Sequence, residues 1–330
     1  MKALITGIGG FVASHLAHHL LINSDWNIYG THRWNEPLDN LDTLTPFLGG
    51  RVILLEADLN DRSSLDQAIK QSRPDYIFHL AAQSYVRASF FYPAQTLQTN
   101  VLGTLNLLES IRTHAPEAWV HNCSSSEVYG RVSPDYGPID EKCPLMPASP
   151  YSISKVGADM LGRYYSDAYG LNVVTTRMFT HTGPRRGDVF SESSFAKQIA
   201  MIETGLMNPP IKVGNLQSTR TIADVRDAVR AYHMLLTVNP QRGEYYNIGG
   251  TYTCTVRDIL EQLMKISGRN HNVEVDPTRL RPLDVDHQIP NCSKFMNHTG
   301  WKPEVAFEQT MRDLLEYWRN RVKHSVVVQR

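Results

Sequence analysis

The sequence predicts an α/β fold built on a doubly wound parallel sheet, and three observations carry that prediction. Short apolar strands alternate with helical stretches from Lys2 to Phe179. A glycine turn joins the first strand to the first helix, and small residues, Ala81 and Ala82, close a later strand. Strands separated by helices cannot form hairpins and must cross over in parallel.

The first strand is the apolar run KALIT at residues 2–6, followed by GIGGFVASHLAHHLL with Phe11, Val12, Leu16 and Leu20 at helical spacing. Gly7 and Gly10 let the backbone turn tightly, and Ala13 is small enough for close helix-to-strand packing. A strand, a glycine turn and a helix N-terminus with free amides suit the pyrophosphate of a dinucleotide. Gly7, Gly10, Phe11 and Val12 are the candidate contacts.

A second strand, Trp26 to Thr31, ends in Gly30-Thr31-His32-Arg33, with no acid and one guanidinium. A ribose 2′-phosphate calls for arginine where a free ribose calls for Asp or Glu, so Arg33 favours NADP over NAD unless it is a solvated loop residue. RVILLEADLND forms a strand to about Glu56 and places Asp58 and Leu59 near the adenine, before a helix through Ile69. A strand from Tyr76 to Leu80 follows, and Leu80, Ala81 and Ala82 leave room for the cofactor at the carboxyl edge of the sheet. One long helix is expected from about Ala94 to His114 with Asn100 in its middle, then a strand from about Trp119 to Cys123. A helix from near Ser149 to about Tyr169 and a sixth strand in LNVVTTRMF at residues 171–179 complete the alternation.

CSSSEVYG at residues 123–130 and SPYSISK at residues 149–155 hold the candidate chemistry. Tyr151 and Lys155 are four apart and share one helix face. A phenol with a pKa near ~10 is a weak base at neutral pH, and a lysine ammonium beside it favours the phenolate. Ser125 offers a second hydroxyl to the same substrate oxygen. The Tyr/Lys spacing is weak by itself, and the glycine turn on the same chain gives it meaning.

Past residue 179 the rhythm changes. THTGPRRGDVFSESSF reads as a loop holding Arg185 and Arg186, a strand is expected at Ile211 to Val213, and GNLQSTR precedes an Asp224-capped helix to about Leu236. EYYNIGG at residues 244–250 reads as a last sheet strand. The DPTRLRPLDVD loop with Arg279 and Arg281, TGWKP and a terminal helix from about Phe307 to Arg321 follow.

The 33 basic and 33 acidic residues balance without long runs, which argues against a nucleic-acid partner. Cys123, Cys143, Cys254 and Cys292 are scattered, as in a reducing cytoplasm, and they form neither a metal-type nor a disulfide-type cluster. No apolar run is long enough for a membrane span, so a cytoplasmic protein without a membrane partner is expected. No metal set is expected, and His79 and His181 read as core or loop residues.

HLAAQSYV, SSSEVYG, SPYSISK, HTGPRRG, KVGN and TGWKP together resemble the extended short-chain dehydrogenase/reductase family of nucleotide-sugar enzymes, and within it the GDP-mannose 4,6-dehydratases and the related GDP-4-keto-6-deoxy-mannose reductases. The resemblance implies a Rossmann NADP-binding domain over residues 1–178 plus about 215–250, and a smaller C-terminal α/β substrate domain over about 179–214 and 251–330. It implies a homodimer, or a tetramer, packing the helices near residues 94–114 and 151–169 into a four-helix bundle.

By position the resemblance makes Ser125, Glu127, Tyr151 and Lys155 the catalytic residues, with Tyr151 and Lys155 also on the cofactor; Glu127 keeps a second reading, because related reductases carry an acid at this position and it then only fixes the loop. It places Ser84, Thr180 and Val213 against a GDP-sugar and implies that Asn100 supports the active-site backbone. Lys197, Arg220, Arg279 and Arg281 are candidates for the diphosphate, because guanidinium forks suit phosphate oxygens. Each alone is an ordinary surface charge; as a set they make a phosphate-binding face credible. Thr180 replaces an asparagine usual in the family, and Arg220-Thr221 replaces Arg-Asp. Both changes bear on the sugar rather than on the cofactor. The implied activities are a 4,6-dehydratase with internally recycled NADP, an NADPH-dependent 4-keto-6-deoxy-sugar reductase or a 4-epimerase. A non-catalytic NADP sensor would not need Ser125, Tyr151 and Lys155 together.

Overall fold

The structure, a computed structural model, describes residues 1–328 except Asp284 and Asp286, which fall within the DPTRLRPLDVD loop. The first half runs β1 (Lys2–Thr6), α1 (Phe11–Asn23), β2 (Asn27–His32), β3 (Val52–Glu56), α2 (Arg62–Ser72), β4 (Tyr76–His79), α3 (Val86–Phe91) and α4 (Pro93–Leu97). A π-helical turn (Gln98–Leu102) leads into α5 (Gly103–His114), β5 (Trp119–Cys123), α6 (Pro150–Tyr169) and β6 (Val173–Met178). The second half adds β7 (His181–Thr182), α7 (Ser191–Glu203), β8 (Ile211–Val213), β9 (Thr219–Asp224), α8 (Val225–Thr237) and β10 (Tyr245–Ile248). It ends with β11 (Tyr252–Thr255), α9 (Val256–Ser267), β12 (Val273–Val275), β13 (His287–Gln288), α10 (Ser293–Thr299) and α11 (Phe307–Val328).

Seven strands form one parallel sheet in the order β10-β6-β5-β4-β1-β2-β3. The order reverses direction between β1 and β4, where doubly wound sheets open a crevice at their carboxyl ends. The Thr6 hydroxyl spans that point, accepting the amides of Leu80 and Ala81 at 3.0 Å each. Apolar cores cover both sheet faces, one including Leu16, Phe78 and Ile248, the other Leu65, Ile77 and Leu107.

A third apolar cluster joins α7, α9 and α11 through Phe195, Ile199, Leu260, Leu263 and Leu315. Burial there explains α7, which the Gly-, Pro- and Ser-rich composition disguises as loop: its apolar residues need the facing helices to pay the cost of ordering. Strand β9, hidden in a stretch read only as the approach to α8, pairs with β11, β13 and β7. Asp224 does cap α8, accepting the Arg226 amide at 2.7 Å.

The expected single helix over residues 94–114 is broken into α4, the π turn and α5. Asn100 sits buried in that turn and accepts the Gln83 amide at 2.8 Å. Its side-chain amide donates to the Gln83 carbonyl and the Ser154 hydroxyl at 2.9 Å each. The local widening coincides with a residue whose side chain serves the backbone of another segment, as π-bulges often do.

Candidate active site

The carboxyl ends of β1, β2, β4, β5 and β6 open into a cavity of about 850 Å³ whose far wall comes from α7, β9 and the segment around Arg279. On the near wall Gly7 holds φ +69°, and a Cβ there would stand 3.0 Å from the Ala81 backbone. A Cβ on Gly10 would lie 3.0 Å from the Gly7 carbonyl, whose oxygen accepts the Gly10 amide at 2.9 Å. No side chain caps α1 at Gly10, so its first amides remain for an anion. This cradle fits a dinucleotide pyrophosphate.

Gly7, Gly10, Phe11, Val12, Arg33, Asp58, Leu59, Leu80, Ala81 and Ala82 all line the cavity. So do Ser84, Ser125, Glu127, Tyr151, Lys155, Thr180, Arg220, Arg279 and Arg281. Lys197 and Val213 do not. The Lys197 ammonium pairs with Asp188 at 2.6 Å, and Val213 is wholly buried in the cluster beneath α7. Phe195, two residues before Lys197, and Gly214, next to Val213, reach the cavity, but helix and strand periodicity turn the Lys197 and Val213 side chains elsewhere.

Ser149 caps α6 through a reciprocal capping box with Ser152, with Pro150 in the first turn, and this sets where Tyr151 emerges. Ser125 accepts the Glu127 amide at 3.2 Å and so caps the short turn Ser126–Tyr129 that carries Glu127. The turn closes at Gly130, φ +61°, where a Cβ would collide with the Met146 carbonyl. Tyr129 anchors it from below, its hydroxyl donating to Asn247 at 2.7 Å. These contacts hold two hydroxyls and a carboxylate on one wall.

The electrostatics depart from the expectation of a lysine-activated phenol. Burial pushes the Tyr151 phenol up, opposed by a hydrogen bond with Ser125 and, more weakly, by the charge of Arg186. Burial pushes Lys155 down, and its ammonium donates to the Cys123 carbonyl at 2.8 Å. Both groups are therefore held toward their neutral forms.

Three further residues, outside the candidate set, line the cavity. Arg186 is withdrawn from water, 3.2 Å from Glu192 and stacked 3.8 Å over the Phe190 ring. Tyr232 reaches the floor from α8, its hydroxyl 3.7 Å from the Cys123 sulfur. Glu36 enters from the loop after β2. Arg186 lay in the quoted HTGPRRG stretch, whereas Tyr232 and Glu36 carry no local signal.

The family model described as GDP-mannose 4,6 dehydratase matches residues 4–314. The chain is 32% identical to a GDP-6-deoxy-D-mannose reductase of Pseudomonas aeruginosa over 98% of this chain and 99% of the relative. It is also 32% identical to GDP-mannose 4,6 dehydratase 2 of Arabidopsis thaliana, over 95% and 86% respectively. Among solved structures, RMD from Pseudomonas aeruginosa complexed with NADPH superposes with a TM-score of 0.83 at 30% identity, covering 97% of this chain and 99% of that one. A dTDP-glucose 4,6-dehydratase of Bacillus anthracis in complex with NAD superposes with a TM-score of 0.85 at 25% identity, covering 98% of each chain.

Proposed function

The chain belongs to the GDP-mannose 4,6-dehydratase family of extended short-chain dehydrogenase/reductase enzymes, and from that premise we propose that it is a 4,6-dehydratase acting on GDP-mannose or a similar GDP-sugar. The observation that carries this reading is the position of Glu127, whose carboxylate shares a cavity wall with Ser125 and Tyr151. A reductase has no proton to remove beside the carbonyl and needs only the hydroxyl pair and Lys155.

When bound, a nicotinamide dinucleotide supplies the hydride acceptor for C4 and returns the hydride at C6. Tyr151 takes the O4 proton, with Ser125 hydrogen-bonded to the same oxygen. The new ketone acidifies C5–H; Glu127 removes that proton and gives it to the departing C6 hydroxyl, so water leaves, and once C6 is reduced C5 takes up a proton from solvent while Tyr151 releases the O4 proton to solvent, which closes the balance. Lys155, one helical turn from Tyr151 and donating to the Cys123 carbonyl, is the residue that would hold the nicotinamide ribose, while Arg220, Arg279 and Arg281 face the diphosphate. Arg33 supports NADP at the adenosine end. The exposed apolar side chains of Leu102 in the π turn before α5 and of Ile153, Met160 and Tyr164 on α6 support a homodimer through this face. No helix among the described residues is long and apolar enough to cross a membrane, which is compatible with a cytoplasmic enzyme.

A second reading, an NADPH-dependent 4-keto-6-deoxy-sugar reductase, is favoured by the Pseudomonas relative that matches end to end. One experiment separates them. Purified protein is mixed with GDP-mannose without added reductant and the sugar nucleotide is followed by mass spectrometry. Loss of one water with a new ketone supports the dehydratase. Unchanged GDP-mannose, with NADPH oxidised once the 4-keto-6-deoxy sugar is supplied, replaces it with the reductase.

A further inference from the structure

The adenosine end of the cavity holds an acid that the end of β2 does not announce. Arg33 to Glu36 form a turn closed by the Glu36 amide donating to the Arg33 carbonyl at 3.0 Å. The Glu36 carboxylate folds back to accept the Arg33 amide at 3.2 Å. Its other oxygen lies against the glycine turn, 3.3 Å from where a Cβ on Gly9 would stand. Asn40 pins the loop in this arrangement, its side-chain amide donating to the Gly9 carbonyl at 3.0 Å. Glu36 therefore lines the cavity beside Arg33, His32 and Thr31, with Asp58 and Asn60 on the same end.

A carboxylate accepts two hydroxyl donors from a free ribose and repels a phosphate dianion at the same carbon, whereas a guanidinium does the reverse. We propose that Glu36 is the residue that reads the 2′ position of the adenosine ribose, accepting the hydroxyl of NAD and opposing the phosphate of NADP, so that cofactor choice is the balance of Glu36 against Arg33. The inference rests on reading the cavity as a dinucleotide site and deepens it: the sign of the preference is set by a turn four residues long rather than by the strand-end residue.

The test is direct binding, independent of turnover. NAD⁺ and NADP⁺ are titrated by calorimetry into the full-length wild type, Glu36→Gln and Arg33→Ser. Gln keeps an acceptor for the Arg33 amide, so the turn is preserved while the charge is removed. Glu36→Gln raises the ratio of NADP⁺ to NAD⁺ affinity by about tenfold or more, and Arg33→Ser lowers it, with both effects shrinking at high salt. A ratio for Glu36→Gln within about twofold of wild type, while both dinucleotides still bind, overturns the role of Glu36. Wild-type protein that binds neither dinucleotide overturns the dinucleotide reading itself, and this inference with it.

Discussion

Arg281 Nη1 stands 3.6 Å from Glu127 Oε1, so the loop before β13 reaches the turn that follows β5 across the mouth of the cavity. The proposed proton acceptor at C5 is thus positioned jointly by the two halves of the chain. Glu127→Gln preserves the shape of that contact and removes the base. The expected result is a fall in elimination of about 10²- to 10⁴-fold with hydride removal from C4 retained, read as loss of deuterium incorporation at C5 from heavy water. Wild-type elimination in this variant would remove Glu127 from the mechanism.

The helix bearing Tyr151 and Lys155 is fastened to the sheet by a buried ion pair. Arg177 on β6 donates to both Asp159 oxygens on α6, at 2.9 and 3.1 Å. The same guanidinium donates to the Tyr129 hydroxyl at 3.2 Å. Asp159→Ala strands a buried cation and is expected to cost about 3–5 kcal/mol, measured as a shift in the urea midpoint. A cost below about 1 kcal/mol would show that the pair does not hold α6 in place.

Stability should fall in mild acid. Burial holds His79 and His121 down to about 3, with Lys155 adding to the effect on both and His79 adding to it on His121. Their folded values lie below the unfolded value near ~6.5, so the unfolded chain binds more protons between those limits. The neutral imidazoles contribute stability that is fully present above pH ~6.5 and is lost as pH falls toward their folded values, with a slope of up to about 1.4 kcal/mol per pH unit for each. Urea titrations between neutrality and mild acid should show this decline, and His121→Phe should flatten it whatever its effect at neutral pH. An unchanged slope in that variant would assign the acid sensitivity to other groups.

The homodimer is tested by charge. Ile153 and Met160 are exposed on α6, and Leu102 is exposed beside them. Ile153→Glu with Met160→Glu should convert a dimer of about twice the chain mass into a monomer on light scattering, since two carboxylates would be buried without partners. A monomeric wild type, or a double variant that remains dimeric, would refute this interface.

Loss of Asn100 should act at a distance. Asn100→Ala leaves both backbone groups of Gln83 without their side-chain partners, at a cost of about 1–3 kcal/mol in stability. It should also lower kcat, because Gln83 follows directly on the alanines lining the cavity. Asn100→Asp restores the acceptor to the Gln83 amide but not the donor to its carbonyl. Wild-type kcat in Asn100→Ala would confine Asn100 to a packing role.

By itself the sequence determined the parts whose physics is local. The glycine turn between β1 and α1 needs Gly7 at positive φ and small residues nearby, and those residues stand within a few positions of one another. The Tyr151 and Lys155 spacing is one helical turn, and the alternation of strand and helix dictates parallel crossovers. Only the tertiary structure decided the rest. Glu36 meets Gly9 through a loop whose path no periodicity describes, and Arg281 meets Glu127 across nearly half the length of the chain. Lys197 and Val213 turned away from the cavity because Asp188 and an apolar cluster claimed them. The π turn at Asn100 is likewise invisible along the chain, because its side chain is bound by Gln83 and Ser154. Such contacts are selected by the packing of whole elements, whose burial outweighs the weak local preference of any single residue.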